Sequence, residues 1–271
     1  MQLIERGRGQ PLVFIPGLQG RWEYARSLVN ALAEDFRVVT FSLCDEPAAG
    51  FPFEPSRGFD SYADQVVAAL DATGDRRAVV CGMSFGGLIA LRAAAEHPDR
   101  VDALVLAAAP GPGMQLLRRH EFYAKAPRIF GPLFLLESPF RLRAELKAAL
   151  PEGASRWAFI TGLLRTCVEA PVSLPRMAAR GRLMSSYDTR ADCARITTPT
   201  LVVAGQAELD RVVPGDAASA YARLIAGAEL ALLERTGHIG ALTRPEAFTE
   251  LVWRFVAALE AGGRRTRRMG R

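Results

Sequence analysis

Short continuous apolar runs alternate along this chain with longer stretches in which apolar residues return at the helical period. Pro11-Leu12-Val13-Phe14-Ile15, Arg37–Ser42, Ala78-Val79-Val80-Cys81, Val101–Ala108, Pro199–Ala204 and Glu229–Leu233 read as strands. The continuous runs fit strands buried on both faces. Leu3-Ile4 is a short outer strand ended by Gly7-Arg8-Gly9. Trp22–Leu32, Phe59–Gly74, Leu88–Ala95, Asp216–Ile225 and Pro245–Ala261 read as helices. Ser61 and Asp64 stand at capping-box spacing at the start of the second. Leu43–Gly58, with three Pro and two Gly, reads as loop. Strands alternating with helices of this length predict an α/β fold, a mainly parallel central sheet flanked by helices.

The alternation stops between Met114 and about Thr198, where helical periodicity and internal prolines leave no convincing strand. This stretch reads as an inserted helical cap over 114–189, between two parts of one core, 1–113 and 190–261. Its apolar residues, among them Phe130, Leu133, Leu136, Phe140, Trp157 and Leu164, read mostly as cap core, with some facing the site.

With 271 residues, 49% of them hydrophobic, the chain can build one large domain with an insertion. The net charge of +5 sits at one end: five of the 34 basic residues lie in the last ten, and without them 29 basic residues balance 29 acidic ones. The body is therefore neutral, which argues against nucleic acid as a partner. The stretch 262–271 reads as a basic, disordered tail. Cys44, Cys81, Cys167 and Cys193 follow no metal-ligand spacing and read as reduced thiols, consistent with a cytoplasmic protein. No apolar run reaches membrane-spanning length. No metal or cofactor motif stands out, and the sequence leaves the oligomeric state open.

The chemistry concentrates at Gly82-Met83-Ser84-Phe85-Gly86, a G-x-S-x-G between a buried strand and a helix. A serine projected from so sharp a turn occupies a strained backbone, and crowding requires residues without Cβ two before and two after it. The helix beginning after the serine aims its free N–H groups and positive dipole end at the site.

Four ordered signals together make the chain resemble the capped α/β-hydrolase family: the loop Pro16-Gly17-Leu18-Gln19-Gly20 after a strand, the elbow at Ser84, the strand Pro199–Gly205 followed by Asp210-Arg211-Val212-Val213-Pro214, and Thr236-Gly237-His238 after the last strand. The resemblance implies a nucleophile Ser84, a base His238 and an acid Asp210, in the chain order of that fold. Glu208 competes for the acid role, since the acid loop looks about two residues longer than usual; Asp210 fits the D-x-V-V-P pattern better. The backbone N–H groups of Leu18 and Phe85 would form the oxyanion hole. Gln19, Trp22 and Met83 are candidate pocket residues, with simple packing the alternative for Trp22. The implied activity is hydrolysis of a small apolar ester-like substrate through an acyl-enzyme. C–C bond hydrolysis, acyl transfer, haloperoxidase-like chemistry and a non-catalytic binding role remain alternatives.

Overall fold

The computed structural model describes residues 1–213 and 216–269, with backbone only from 263 onward. Its centre is a sheet of β1 (Ile4–Arg6), β2 (Pro11–Ile15), β3 (Arg37–Thr40), β4 (Ala78–Met83), β5 (Val101–Ala107), β6 (Thr200–Ala204) and β7 (Glu229–Leu232). The spatial order is β1-β3-β2-β4-β5-β6-β7. Only β1 runs antiparallel, pairing Ile4 with Thr40; the other pairs are parallel.

The apolar runs on β2, β4 and β5 are continuous because both faces of the sheet are covered. Leu12 and Phe14 point to one face, with Val79, Cys81 and Val105, against α1 (Arg26–Asp35) and α11 (Pro245–Met269). Val13 and Ile15 point to the other, with Val80 and Leu104, against α2 (Phe59–Thr73) and α3 (Phe85–Glu96). The chain leaves β2 for β3 on one side and returns to β4 on the other. The register Ile15 to Gly82 ends β2 and β4 level, so the loops after them open at one sheet edge, where such a reversal forms a crevice.

Between β5 and β6 lie α4 (Arg118–Lys125), α5 (Pro127–Ala149), α6 (Gly153–Glu169), α7 (Leu174–Ser186) and α8 (Arg190–Arg195). The helices α4, α5 and α7 pack on one another, whereas α8 packs on α3 and on α9 (Ala217–Leu224). A four-residue α10 (Gly240–Thr243) precedes α11.

Three expectations are corrected. The capping box at Ser61 does not form: the helix starts after Gly58, and the buried Ser61 hydroxyl donates to the Glu54 carbonyl at 2.9 Å. The preceding loop offers that carbonyl, and Ser61 lies inside the first turn rather than ahead of it. The apolar residues of α5 and α6 are largely exposed, Phe140 by 80% and Trp157 by 66%. A single helical layer over loops buries only its underside. The closing helix does not stop at Ala261; its backbone continues to Met269, so the expected disordered tail is helical up to there. Gly270 and Arg271 lie outside the described residues. Among the described residues no helix is long and apolar enough to cross a membrane.

Candidate active site

Ser84 stands between β4 and α3 with φ 53° and ψ −121°. This left-handed backbone costs a non-glycine residue of order 1–3 kcal/mol. Its surroundings over-determine it. A Cβ on Gly82 would lie 2.1 Å from the Gly86 carbonyl oxygen, and one on Gly86 would lie 2.3 Å from that of Ile15. Both glycines are therefore required, Gly86 chiefly by the end of β2. The Phe85 ring locks the first turn of α3, lying 5.2 Å from Phe59 and 5.6 Å edge-on from Tyr62, centroid to centroid.

His238 follows β7 and is buried to 7% exposure. Its Nε2 lies 3.0 Å from Ser84 Oγ. Its Nδ1 lies 3.4 Å from Asp210 Oδ2, within ion-pair reach though short of hydrogen-bond geometry. The two loops meet closely because Gly205 and Gly237 lack side chains: a Cβ on Gly205 would be 2.4 Å from the Gly237 carbonyl oxygen. Asp210 Oδ1 accepts the N–H groups of Val212 at 2.8 Å and Val213 at 2.9 Å, leaving Oδ2 to face the imidazole. Burial alone would raise the Asp210 carboxyl; the contact with His238 and these two N–H groups outweigh it, so Asp210 is held below the ordinary aspartate value. Glu208, by contrast, is exposed and accepts from Gln206 Nε2 at 3.2 Å. Of the two acids considered, the structure brings Asp210 to His238.

The loop after β2 approaches Ser84 from the other side. A Cβ on Gly17 would be 3.5 Å from Ser84 Cβ, and the turn closes by Gly20 N–H donating to the Gly17 carbonyl at 2.9 Å. Among the described residues the Leu18 N–H makes no backbone hydrogen bond. Phe85, first in its helix, has no carbonyl one turn back within the helix to bond. Gln19 folds back on Gly17. Met83 lines a narrow space with His238 and Ala107. The Trp22 ring lies between the guanidinium groups of Arg6 and Arg26, 5.8 and 5.7 Å from its centroid, a packing position.

Above Leu18 an apolar recess opens, walled by Leu116, Tyr123, Phe134, Leu174 and Met177 from the inserted segment. His120 also faces it. Burial and then the Arg141 charge push the His120 imidazole down to about 4, and Arg141 Nη1 donates to its Nε2 at 2.9 Å. No group of three or more His, Cys, Asp or Glu gathers as a metal site among the described residues.

Sequence reasoning passed over two residues of the inserted segment. Arg180 on α7 is fully buried, donating to the Leu18 carbonyl at 2.9 Å and pairing with Asp45 at 2.7 Å and Glu46 at 2.6 Å. A Cβ on Gly20 would collide with its guanidinium at 2.2 Å. Glu145 on α5 is likewise fully buried, and Ile239 N–H donates to its Oε1 at 2.9 Å. In sequence both look like solvent-facing charges on helices, and only the packing of the segment reveals them.

Residues 12–251 match the alpha/beta hydrolase family profile. The chain is 31% identical to pimeloyl-[acyl-carrier protein] methyl ester esterase of Stenotrophomonas maltophilia, over 96% of this chain and 97% of that one. It is 32% identical to polyketide synthase ThaQ of Burkholderia thailandensis over 97% of its own length, but spans only 13% of that protein. Among solved structures, a bromoperoxidase from Bacillus anthracis superposes with TM-score 0.77 at 22% identity, covering 94% of each chain; at that identity the likeness is one of fold. Sheet order, elbow and these likenesses agree: the chain belongs to the alpha/beta hydrolase family and is a hydrolase of that fold.

Proposed function

We propose that the protein is a serine esterase, with Ser84 as nucleophile, His238 as general base and Asp210 as the acid that orients it. The observation that carries this reading is the 3.0 Å approach of His238 Nε2 to a serine oxygen held on a strained elbow. Ser84 Oγ attacks the substrate carbonyl carbon while its proton passes to His238 Nε2. Asp210 holds the imidazole tautomer and stabilises the imidazolium. The N–H groups of Leu18 and Phe85 receive the oxyanion, each worth about 3 kcal/mol of barrier. Collapse expels the alcohol, which takes the proton from His238. Water, deprotonated by His238, then releases the acid.

An ester substrate is supported by the similarity to a methyl ester esterase. An apolar acyl or alcohol part is supported by the recess above Leu18. Segment 114–189 acts in this reading as a cap, since Arg180 and Glu145 tie it to the loops around Ser84. Hydrolysis of short and medium p-nitrophenyl esters by wild type and Ser84→Ala tests the proposal. Loss of at least 1,000-fold in kcat, of order the contribution of a nucleophile, is expected; equal rates would refute it.

A further inference from the structure

Glu145 is a carboxyl with no exposed surface, placed by a cap helix against the loop that carries His238. It engages the chain next to the imidazole: Ile239 N–H donates to Oε1 at 2.9 Å. Its Oε2 is buried and has no hydrogen-bond partner among the described residues. Mere cap packing does not call for this arrangement. A leucine at this place would bury comparable surface without the cost of an enclosed carboxyl.

We infer that Glu145 is a positioning residue for His238, by which the cap clamps the Ile239 amide beside the imidazole and sets a second carboxyl group against the loop that carries the base. The inference rests on the esterase reading, because it gives Glu145 a role only through the base. Burial pushes its carboxyl up to about 7, against the pull of the Gly237 N–H, the His238 charge and the Ile239 N–H. A proton on the free Oε2 leaves Oε1 to the Ile239 amide. The clamp therefore persists in both states, and only the charge beside the His238 loop changes.

The ionisable groups that reach Glu145 are His238 and Asp210. Of the other charged groups on α5 and the elements around it, Arg143 and Lys147 line a separate surface recess with Arg119 and Arg211, and several more have partners elsewhere. Arg141 of its own helix turns to His120 of α4; Glu137 accepts from Tyr123. From α7, Arg180 is held by Asp45 and Glu46, and Arg182 donates to the Ala124 carbonyl. The helix α10 carries no ionisable side chain.

Two variants separate clamp from charge. Glu145→Ala removes both: kcat falls tenfold or more at every pH, as expected for a displaced base, while KM changes less than threefold. Glu145→Gln keeps an oxygen for the Ile239 amide and cannot ionise. The ratio of wild-type to Glu145→Gln kcat is near one at pH 5.5 and rises to about tenfold at pH 8.5, the effect of one favourable neighbouring charge on the imidazolium formed in the transition state. Circular dichroism of each variant checks that the fold is retained. A folded Glu145→Ala enzyme that keeps kcat within twofold, or raises KM alone, overturns the inference, as does a wild-type to Glu145→Gln ratio constant across pH. If Ser84→Ala is inactive and Glu145→Ala is unimpaired, this inference alone falls; if Ser84→Ala retains full activity, the esterase reading falls and takes the inference with it.

Discussion

A single torsion, the φ of 53° at Ser84, is held in place by neighbours that a side chain would displace. Gly82→Ala would drive its new Cβ into the Gly86 carbonyl and is expected to cost 2 kcal/mol or more in urea unfolding, as strain of this kind does. The rival acids are separable by kinetics. Asp210→Asn is expected to lower kcat on a p-nitrophenyl ester about 10³–10⁴-fold through loss of the correct tautomer, and Glu208→Gln to leave it within twofold. A larger effect at Glu208 would reverse the assignment. At this scale the elbow was legible because backbone crowding demands particular residue types in fixed order. That Asp210 and His238 would lie near Ser84 was an expectation from the resemblance to a family. Glu145 was not legible, because a carboxylate on a helix declares its environment only when something packs on it.

The elements followed from periodicity wherever both sheet faces are covered, and the strand runs around Val13, Val79 and Leu104 needed nothing more. Local signals failed where tertiary partners compete for the same groups: Ser61 spends its hydroxyl on Glu54, so the spacing with Asp64 never becomes a cap. The inserted helices were recognisable as helices, but which of their faces would be buried was not, since that depends on the loops beneath. Arg180 joins the two through its contacts with Leu18, Asp45 and Glu46. Replacing it with Met leaves Asp45 and Glu46, 7% and 3% exposed, without their cation. The expected cost is about 3–5 kcal/mol, read as a lowered urea midpoint. The Leu18 loop also loses the donor to its carbonyl, so ester hydrolysis should fall even at full folding. An unchanged midpoint would show that the buried charges find other partners.

For the molecule as a whole, Glu145 predicts how stability varies with pH. Its carboxyl sits near 7 when folded and near 4.5 when unfolded, so between those values the folded chain holds more protons. Stability contributed by the neutral carboxyl is then complete below about pH 4.5 and is lost as pH rises through about 7, by roughly 3 kcal/mol in total. Glu145→Gln removes that slope; parallel wild-type and variant stability curves from pH 5 to 8 would contradict it. The sheet and its order of loops were readable from the sequence because a parallel sheet with crossover helices admits few arrangements. The convergence of Leu18, Ser84, Asp210 and His238 on one edge follows from that order, and every functional claim depends on it. The most direct test is labelling with a fluorophosphonate, followed by mass spectrometry of the digested protein. The account predicts one phosphonyl adduct, on the peptide containing Ser84, formed rapidly in wild type and at least 100-fold more slowly in His238→Ala, as loss of a general base requires. An unlabelled Ser84, or labelling indifferent to His238, would contradict it.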